Sequence, residues 1–448
     1  MSEINHQNVN AWLQEQPFHP QRETLTQELH ARPFEALATP CEVFLFAKIT
    51  TEQATEQEFA HLATFCQRNQ LQAPPKNIRH YTVTHSQYRL RWERHGEFTT
   101  CALFMTPQQE HPFTTSPVKE VLEWFSSTEG QLLVATQLSV QSSKFESSEE
   151  VLSTLFEKES LVSALLSEDE AHVWTDLRIH KSGFNRILLI NNSMSAIKLG
   201  RNVQYLLDIA TYRNMALLAL PVAQEISHKI ADIDDQLSAL LGRISDTDIL
   251  RLTVAEAINV DSELHERLSE LAMAIQLLNT QSSFRLNGSK AYYAIIKSRI
   301  MELDEHSVAG YQTIGEFIRR RLDPAMRTCD SIEKRLDDIA KRTARVVDLL
   351  RTRLDLTIEK QNHQLLGSMN DRARMQMNLQ ETIEGVSIAA ITYYIVGLIS
   401  YTTKSLAKLG LDIQPELVAG FTVIPVALTV WYGVKQVKKR IRRNTNAA

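Results

Sequence analysis

Glycine and proline are scarce in this sequence. Its 448 residues include only 14 glycines and 13 prolines, together about 6% of the chain, which is about half their usual share. Because these two residues mark turns and helix ends, their scarcity predicts few turns and long helices. Hydrophobic residues make up 43% and charged residues 23%, which excludes an intrinsically disordered protein. At this length we expect two or three domains.

Cysteines and catalytic motifs are also few. The four cysteines (Cys41, Cys66, Cys101 and Cys329) include no CxxC pair, which argues against a zinc site or a disulfide framework and is compatible with a reducing compartment. The signatures GxGxxG, GxxxxGK[ST], HExxH and GxSxG do not occur. We therefore expect no enzymatic activity, no cofactor and no bound metal. The net charge of -5 also gives no reason to expect a nucleic-acid partner.

Two uncharged apolar runs lie near the C-terminus. Val386–Thr403 and Leu417–Val434 each contain 18 residues without a charge. As a helix, each run would extend about 27 Å, close to the ~30 Å hydrocarbon core of a bilayer. The pattern predicts two transmembrane helices that anchor the chain in a lipid bilayer. The alternative is a helical hairpin buried in a soluble core.

Basic residues around these runs predict their orientation. The connecting segment Lys404–Glu416 balances two lysines with two acids, whereas six basic residues follow the second run: Lys435, Lys438, Lys439, Arg440, Arg442 and Arg443. The positive-inside rule then assigns both outer flanks to the cytoplasm. The first 18 residues contain no Lys or Arg, so we expect no signal peptide. We expect a cytoplasmic (inner) membrane protein with both termini in the cytoplasm.

The first apolar run is rich in hydroxyl side chains, among them Thr392, Tyr393, Tyr394 and Ser400. Because hydroxyl groups in lipid require hydrogen-bond partners, one face of this helix is expected to meet another helix or water. Helix packing is the simpler interpretation. The alternative is a face that lines the pore of an oligomer.

Heptad spacing dominates the middle of the chain. Ile226, Ile230, Ile233 and Leu237 are separated by four, three and four residues, and similar series follow later. This spacing is typical of packed helices or coiled coils. It predicts a long antiparallel helical stalk over residues 193–380, with self-association through its helices. The sequence Asn287-Gly288-Ser289 predicts a turn within it, and Pro324 is expected to begin or kink a helix.

One basic cluster in this region lacks adjacent acids. Arg319, Arg320 and Arg321 are consecutive, whereas the basic residues further along alternate with acids, as on a solvated helix face. The three arginines are therefore candidates for binding an anion or a partner.

Residues 1–192 are predicted to form a mixed α/β sheet domain. Tyr88, Leu90 and Trp92 alternate with charged residues, which indicates a half-buried strand. Further strands are expected over residues 43–49, 78–84, 98–105, 132–140, 173–179 and 185–191, and helices over residues 52–68 and 149–166. The predicted fold is therefore α+β, with a sheet domain (1–192), a stalk (193–380) and a transmembrane hairpin (381–448).

The most concentrated polar motif is Glu28-Leu29-His30-Ala31-Arg32-Pro33-Phe34-Glu35. His30 and Arg32 could bind an anion, with His30 as a proton donor. The alternative is a structural turn in which Arg32 pairs with a neighbouring glutamate and Phe34 enters the core.

Several long motifs carry a family resemblance. They are LHARPFEAL near the N-terminus, GRNVQYLLDIATYRNMALLALPVA at 200–223, DPAMRTC at 323–329 and NLQETIEGVSIAAITYYIVGLISY at 378–401. Through these motifs the chain resembles, over almost its whole length, a bacterial family of membrane-anchored proteins of unknown function. The resemblance implies a C-terminal anchor and transfers no site.

The predicted layout is also similar to that of CorA-type magnesium channels. Those channels carry Gly-Met-Asn at the end of their first span, where this chain reads Tyr401-Thr402-Thr403-Lys404. The preferred hypothesis is therefore a membrane-anchored structural, scaffolding or regulatory protein. An oligomeric channel or transporter is the alternative. An enzyme acting through His30 and Arg32 is a third hypothesis, without recognisable catalytic geometry.

Overall fold

The computed structural model describes residues 12–13, 16–23, 25–26, 34–76, 78–107, 111–246, 254–408 and 415–445. The chain divides into two compact units. The first comprises Met1–Arg243 with Leu268–Arg345, and the second comprises Ile244–Arg267 with Val346–Ala448.

The first unit contains a nine-stranded mixed sheet with the order β2-β3-β4-β1-β5-β8-β7-β6-β9. Every neighbouring pair is antiparallel except β5 and β8, which are parallel. The predicted mixed α/β sheet domain and α+β fold are confirmed. The strands are β1 (Cys41–Ile49), β2 (His80–Thr84), β3 (Tyr88–Arg94), β4 (Phe98–Met105), β5 (Gln131–Ser142), β6 (Val162–Leu166), β7 (Ala171–Ile179), β8 (Asn185–Asn191) and β9 (Glu305–Ser307).

Helices cover both faces of the sheet, so β1 is buried on both sides. Phe44 and Phe46 belong to a core cluster that also contains side chains of α1 (Glu52–Arg68) and α2 (Lys119–Ser126). Ala47 belongs to the cluster on the opposite face, beneath α4 (Ala196–Leu217). Two-sided burial explains why β1 is a nearly continuous apolar run rather than an alternating one.

The predicted helix over residues 149–166 is wrong beyond its first two turns. Helix α3 covers only Glu149–Leu155, and Val162–Leu166 forms β6. That strand pairs with β7 on one side and with β9 on the other. Pairing with a distant segment overrides the local helical spacing.

Three long helices form the helical part of the chain, followed by a C-terminal helix. They are α5 (Ala219–Asp246), α6 (Val254–Glu302), α7 (Ile314–Lys408) and α8 (Pro415–Thr445). The turn predicted at Asn287-Gly288-Ser289 is wrong, because α6 continues through it. The chain instead leaves the helix after Glu302 and forms β9. Pro324 lies inside α7, so it does not begin the helix.

Ion pairs indicate how these helices run within the first unit. Lys290 of α6 pairs with Asp330 of α7 at 3.6 Å, and Tyr293 donates to Asp323, so these helices are antiparallel. Arg342 of α7 pairs with Asp234 of α5 at 2.8 Å. The apolar residues at heptad spacing in this unit are buried, as for Ile226, Ile230, Ile233, Leu237, Leu271, Ile275, Leu278, Ile332, Leu336 and Ile339.

Candidate functional site

The predicted arginine cluster lies near the start of α7. Arg319, Arg320 and Arg321 are all exposed. The Arg321 guanidinium lies over the ring of Phe317, 4.4 Å from its centroid. Burial raises the pKa of the Glu305 carboxyl, and the charge of nearby Arg319 is among the effects that oppose this shift. Arg319 and Arg321 therefore have different neighbours, Glu305 and Phe317 respectively.

Arg321 lines a cleft that sequence reasoning did not identify. The cleft has a volume of about 350 Å³. A second cation, Arg213 of α4, lines the same cleft. The remaining walls are largely apolar and come from β5, β7, β8, α4 and α7: Leu133, Leu177, Ile179, Leu217, Phe317, Ile318 and Leu322, with Asn185 and Asn214.

A bulge in β7 builds one wall of this cleft. The pairing of β7 with β8 shifts register between Thr175 and Ile179. Within the bulge Leu177 adopts a φ of 55°, in the left-handed region that a leucine rarely occupies. Its backbone N–H donates to the Thr175 hydroxyl at 3.2 Å. The bulge brings Leu177 and Ile179 to the cleft, and Ile179 remains 74% exposed.

The two cations that line the cleft, Arg213 and Arg321, have no carboxylate in contact with them among the described residues. Arg213 is half-buried, and its Nε atom is shielded from solvent without a hydrogen-bond acceptor. Burial lowers the pKa of the Arg213 guanidinium to about 10, while the charge of Asp176 opposes that shift. Asp176 is already engaged, because it accepts hydrogen bonds from the backbone of Glu157 and Arg178 and from His180. Over the described residues, no carboxylate lies within 4.0 Å of Arg213 or Arg321.

His30 and Arg32 lie outside the described residues. The end of their motif is described, however, and it packs on α4. Glu35 pairs with Arg89 at 3.0 Å, and the Phe34 ring meets Tyr205 edge-on at 5.9 Å. Phe34 is 44% exposed, so it does not enter the core as the structural alternative expected. Two of the sequence motifs, LHARPFEAL and GRNVQYLL, therefore contact each other.

A half-buried polar network lies between β3, α4 and α6. Gln204 accepts a hydrogen bond from Arg91 and donates to Asp208 at 2.6 Å. Asp208 also pairs with Arg299 at 2.7 Å. Burial raises the pKa of the Asp208 carboxyl, although Arg299 and Gln204 oppose that shift. Because its charges are paired and it encloses little free space, this network holds the helices on the sheet rather than a ligand.

The described residues also contain no group of three or more His, Cys, Asp and Glu side chains that could hold a metal ion.

Three helical segments are long and apolar enough to cross a membrane, by length and composition. They are Ala196–Ile244, Ile314–Ser405 and Glu416–Val437. Half of the apolar window in the first segment is buried, whereas the windows of the other two segments remain almost entirely unburied.

The hydroxyls of Ser387, Thr392 and Thr403 in the first predicted span find partners within their own helix. Thr392 donates to the Ile388 carbonyl at 2.7 Å, and Ser387 and Thr403 bond in the same way to Ile383 and Ile399. Tyr393 and Tyr394 are exposed, Thr392 is buried, and Ser400 is half-buried. These threonine and serine hydroxyls therefore need neither a second helix nor water to satisfy them.

Residues 17–441 match the model of a family described as a protein of unknown function, DUF3422. The chain belongs to this family. The match covers nearly the whole sequence, and the resemblance to a family of unknown function is confirmed. No curated protein and no solved structure matches this DUF3422 chain.

Proposed function

We propose that this DUF3422 protein is a membrane-anchored structural, scaffolding or regulatory protein of the cytoplasmic membrane. Its two C-terminal helices would cross the bilayer, and its sheet domain would lie in the cytoplasm. The observation that carries the proposal is the exposure of the apolar windows in α7 and α8. Tyr393 is 77% exposed and Phe421 81% exposed. Such long apolar surfaces are costly in water and are stabilised by lipid.

The charges beside these helices support the proposed orientation. The basic tail after α8 and the near-neutral segment between the helices follow the positive-inside rule, with both termini in the cytoplasm. The third apolar segment, Ala196–Ile244, is assigned to the cytoplasmic domain, because α4 covers the sheet and half of the window is buried.

Self-association is proposed for the helix that precedes the first span. Ile358, Leu365, Leu379 and Val386 share one heptad position and are all exposed, with Arg372 interrupting the series. These four residues form an apolar stripe along the helix. Two copies anchored in one membrane would run parallel, so the apolar stripe of one copy would meet the same stripe of the other. The bilayer and a second copy are thus the proposed partners, without nucleic acid and without a catalysed reaction.

Membrane extraction tests the anchoring proposal. The full-length chain should sediment with membranes, resist washing with alkaline carbonate, and enter solution with a mild detergent. A chain ending after Glu384 should appear in the soluble fraction. Release of the full-length chain by carbonate, or retention of the shortened chain by the membrane, would contradict the anchor. Detergent solubility separates membrane insertion from aggregation, because aggregates stay in the pellet.

A further inference from the structure

We infer that the cleft formed by the β7 bulge, α4 and α7 binds a small amphiphilic anion. Arg213 and Arg321 would hold a carboxylate or phosphate group, and the apolar walls would hold a short hydrocarbon part. The inference does not depend on the membrane anchor, because every lining residue belongs to the first unit.

The charges of the cleft indicate the head group. A guanidinium that has no carboxylate in contact can take an incoming anion as its partner. Arg213 lines the cleft, and nearby Asp176 accepts its hydrogen bonds from Glu157, Arg178 and His180 rather than from Arg213. Arg321 adds a second positive charge at the same cleft. Planar guanidinium groups match carboxylate and phosphate oxygens in two-point hydrogen bonds.

The walls of the cleft indicate the rest of the ligand. Seven of the eleven lining residues are apolar, and Ile179 and Leu217 keep exposed surface at the rim. Ligand sites are mostly apolar concavities with a few placed polar groups, about 300–1,000 Å³ in volume. At about 350 Å³ this cleft is near the lower limit, so it suits one short chain rather than a two-chain lipid.

A larger hollow between α1 and α2 provides a contrast. It has a volume of about 620 Å³, but it is lined by Arg68 and His61 together with Glu120 and Glu123. Charges of both signs line that hollow, so it offers no selective attraction for an anion. The arginine cleft carries charges of one sign only.

Calorimetric titration of the full-length chain tests the inference. The chain would be held in zwitterionic nanodiscs without free detergent, and empty nanodiscs would supply the blank. The probes are hexanoate, hexyl phosphate and the uncharged analogue hexanol. We expect saturable one-to-one binding of at least one anion, at least about tenfold tighter than hexanol, because a charge-assisted hydrogen bond is lost with the head group.

Substitutions assign the binding to the cleft. Arg213→Gln and Arg321→Gln should each weaken anion binding by about tenfold or more. Arg320→Gln is the matched control, since Arg320 is exposed on the same helix and does not line the cleft; it should bind within about twofold of wild type. Arg321 is exposed, so its variant keeps the test valid if Arg213→Gln fails to fold.

The two anions distinguish the source of the ligand. Tighter binding of hexyl phosphate supports a phosphate-bearing amphiphile, and tighter binding of hexanoate supports a free fatty acid; either result agrees with the inference. Three results would overturn it: no saturable binding of either anion, equal binding of hexanol, or wild-type affinity in both cleft variants.

Discussion

Gly200 lies directly beneath the backbone carbonyl of Glu35. A Cβ atom at Gly200 would overlap that carbonyl oxygen. The close approach is fixed by a hydrogen bond from the Leu37 backbone N–H to the Ala196 carbonyl at 3.0 Å. The segment after the His30 and Arg32 motif is thus seated on the first turns of α4, and only glycine permits that contact.

Gly200→Ala is therefore expected to destabilise the sheet domain. The clash is with backbone, which cannot rotate away, so a cost of about 1–3 kcal/mol or more is expected. Urea unfolding followed by tryptophan fluorescence would measure it. Gly242→Ala is the control, because nothing lies within 4 Å of a Cβ at that helical position; it should be neutral or stabilising by up to ~1 kcal/mol. Equal stability of the two variants would contradict the contact.

Acidification should lower the free energy of unfolding of the sheet domain, because Glu93 becomes protonated. Burial raises the pKa of this carboxyl, but the hydrogen bond from His80 and the charges of Arg91, His95 and His80 outweigh burial and bring it to about 2. His80 lies 2.9 Å from Glu93. The usual pKa in the unfolded chain is 4.5. The stabilisation is therefore complete above pH ~4.5 and is lost as the pH falls towards ~2, because the unfolded state then binds more protons.

The measurement is urea unfolding of wild type and Glu93→Gln between pH 7 and pH 3. The stability of wild type should fall more steeply on acidification, with a difference on the order of 2–3 kcal/mol across the window. Glu150→Gln, an exposed change on α3, should follow the wild-type profile. If the stability of wild type and of Glu93→Gln depended on pH in the same way, the folded structure would not lower the pKa of Glu93.

Reconstituted protein should not conduct ions. The hydroxyls of Ser387, Thr392 and Thr403 in the first span bond to their own helix, so these side chains require no water-filled face. Proteoliposomes should therefore be no more permeable to cations than empty liposomes, and replacing Tyr393 and Tyr394 by Phe should change nothing. A cation flux that appears with wild type and falls in the double variant would favour the channel hypothesis instead.

Parallel self-association should bring Leu365 of two copies together. Leu365→Cys is expected to form a disulfide between copies under mild oxidation, at least about tenfold faster than His363→Cys, which lies off the stripe. The four native cysteines are buried and should give little background. Equal cross-linking at the two positions would reject a parallel stripe.

Much of the fold follows from local pattern. The bounds predicted for β3, β4 and β8 agree with the structure, because each is a short run of strand-forming residues next to a turn. The long helices follow from heptad spacing. What local pattern does not contain is distant pairing: β6 exists because β7 and β9 flank it, and β9 contributes only three residues. Likewise, α6 continues through Asn287-Gly288, where Leu286 and Ser289 on either side are buried by tertiary packing.

The candidate site, too, is only partly predictable from the sequence. Arg321 is visible in the sequence as part of a basic run without acids. Arg213 is not, because a single arginine within an amphipathic helix looks like an ordinary surface residue. Only the packing of α4 and α7 around the β7 bulge puts the two guanidinium groups at one cleft. The one available signal was that Arg213 lies two residues before an apolar stretch, 215–223, that begins at the end of α4.

Labelling of single cysteines in spheroplasts tests the membrane account most directly. Ser405→Cys lies near the end of α7, within the connecting segment, and Ser368→Cys lies on the same helix before the first span; both serines are exposed. A membrane-impermeant maleimide should label Ser405→Cys in intact spheroplasts and Ser368→Cys only after permeabilisation. Labelling of both before permeabilisation, or the reverse order, would contradict two C-terminal spans with a cytoplasmic sheet domain.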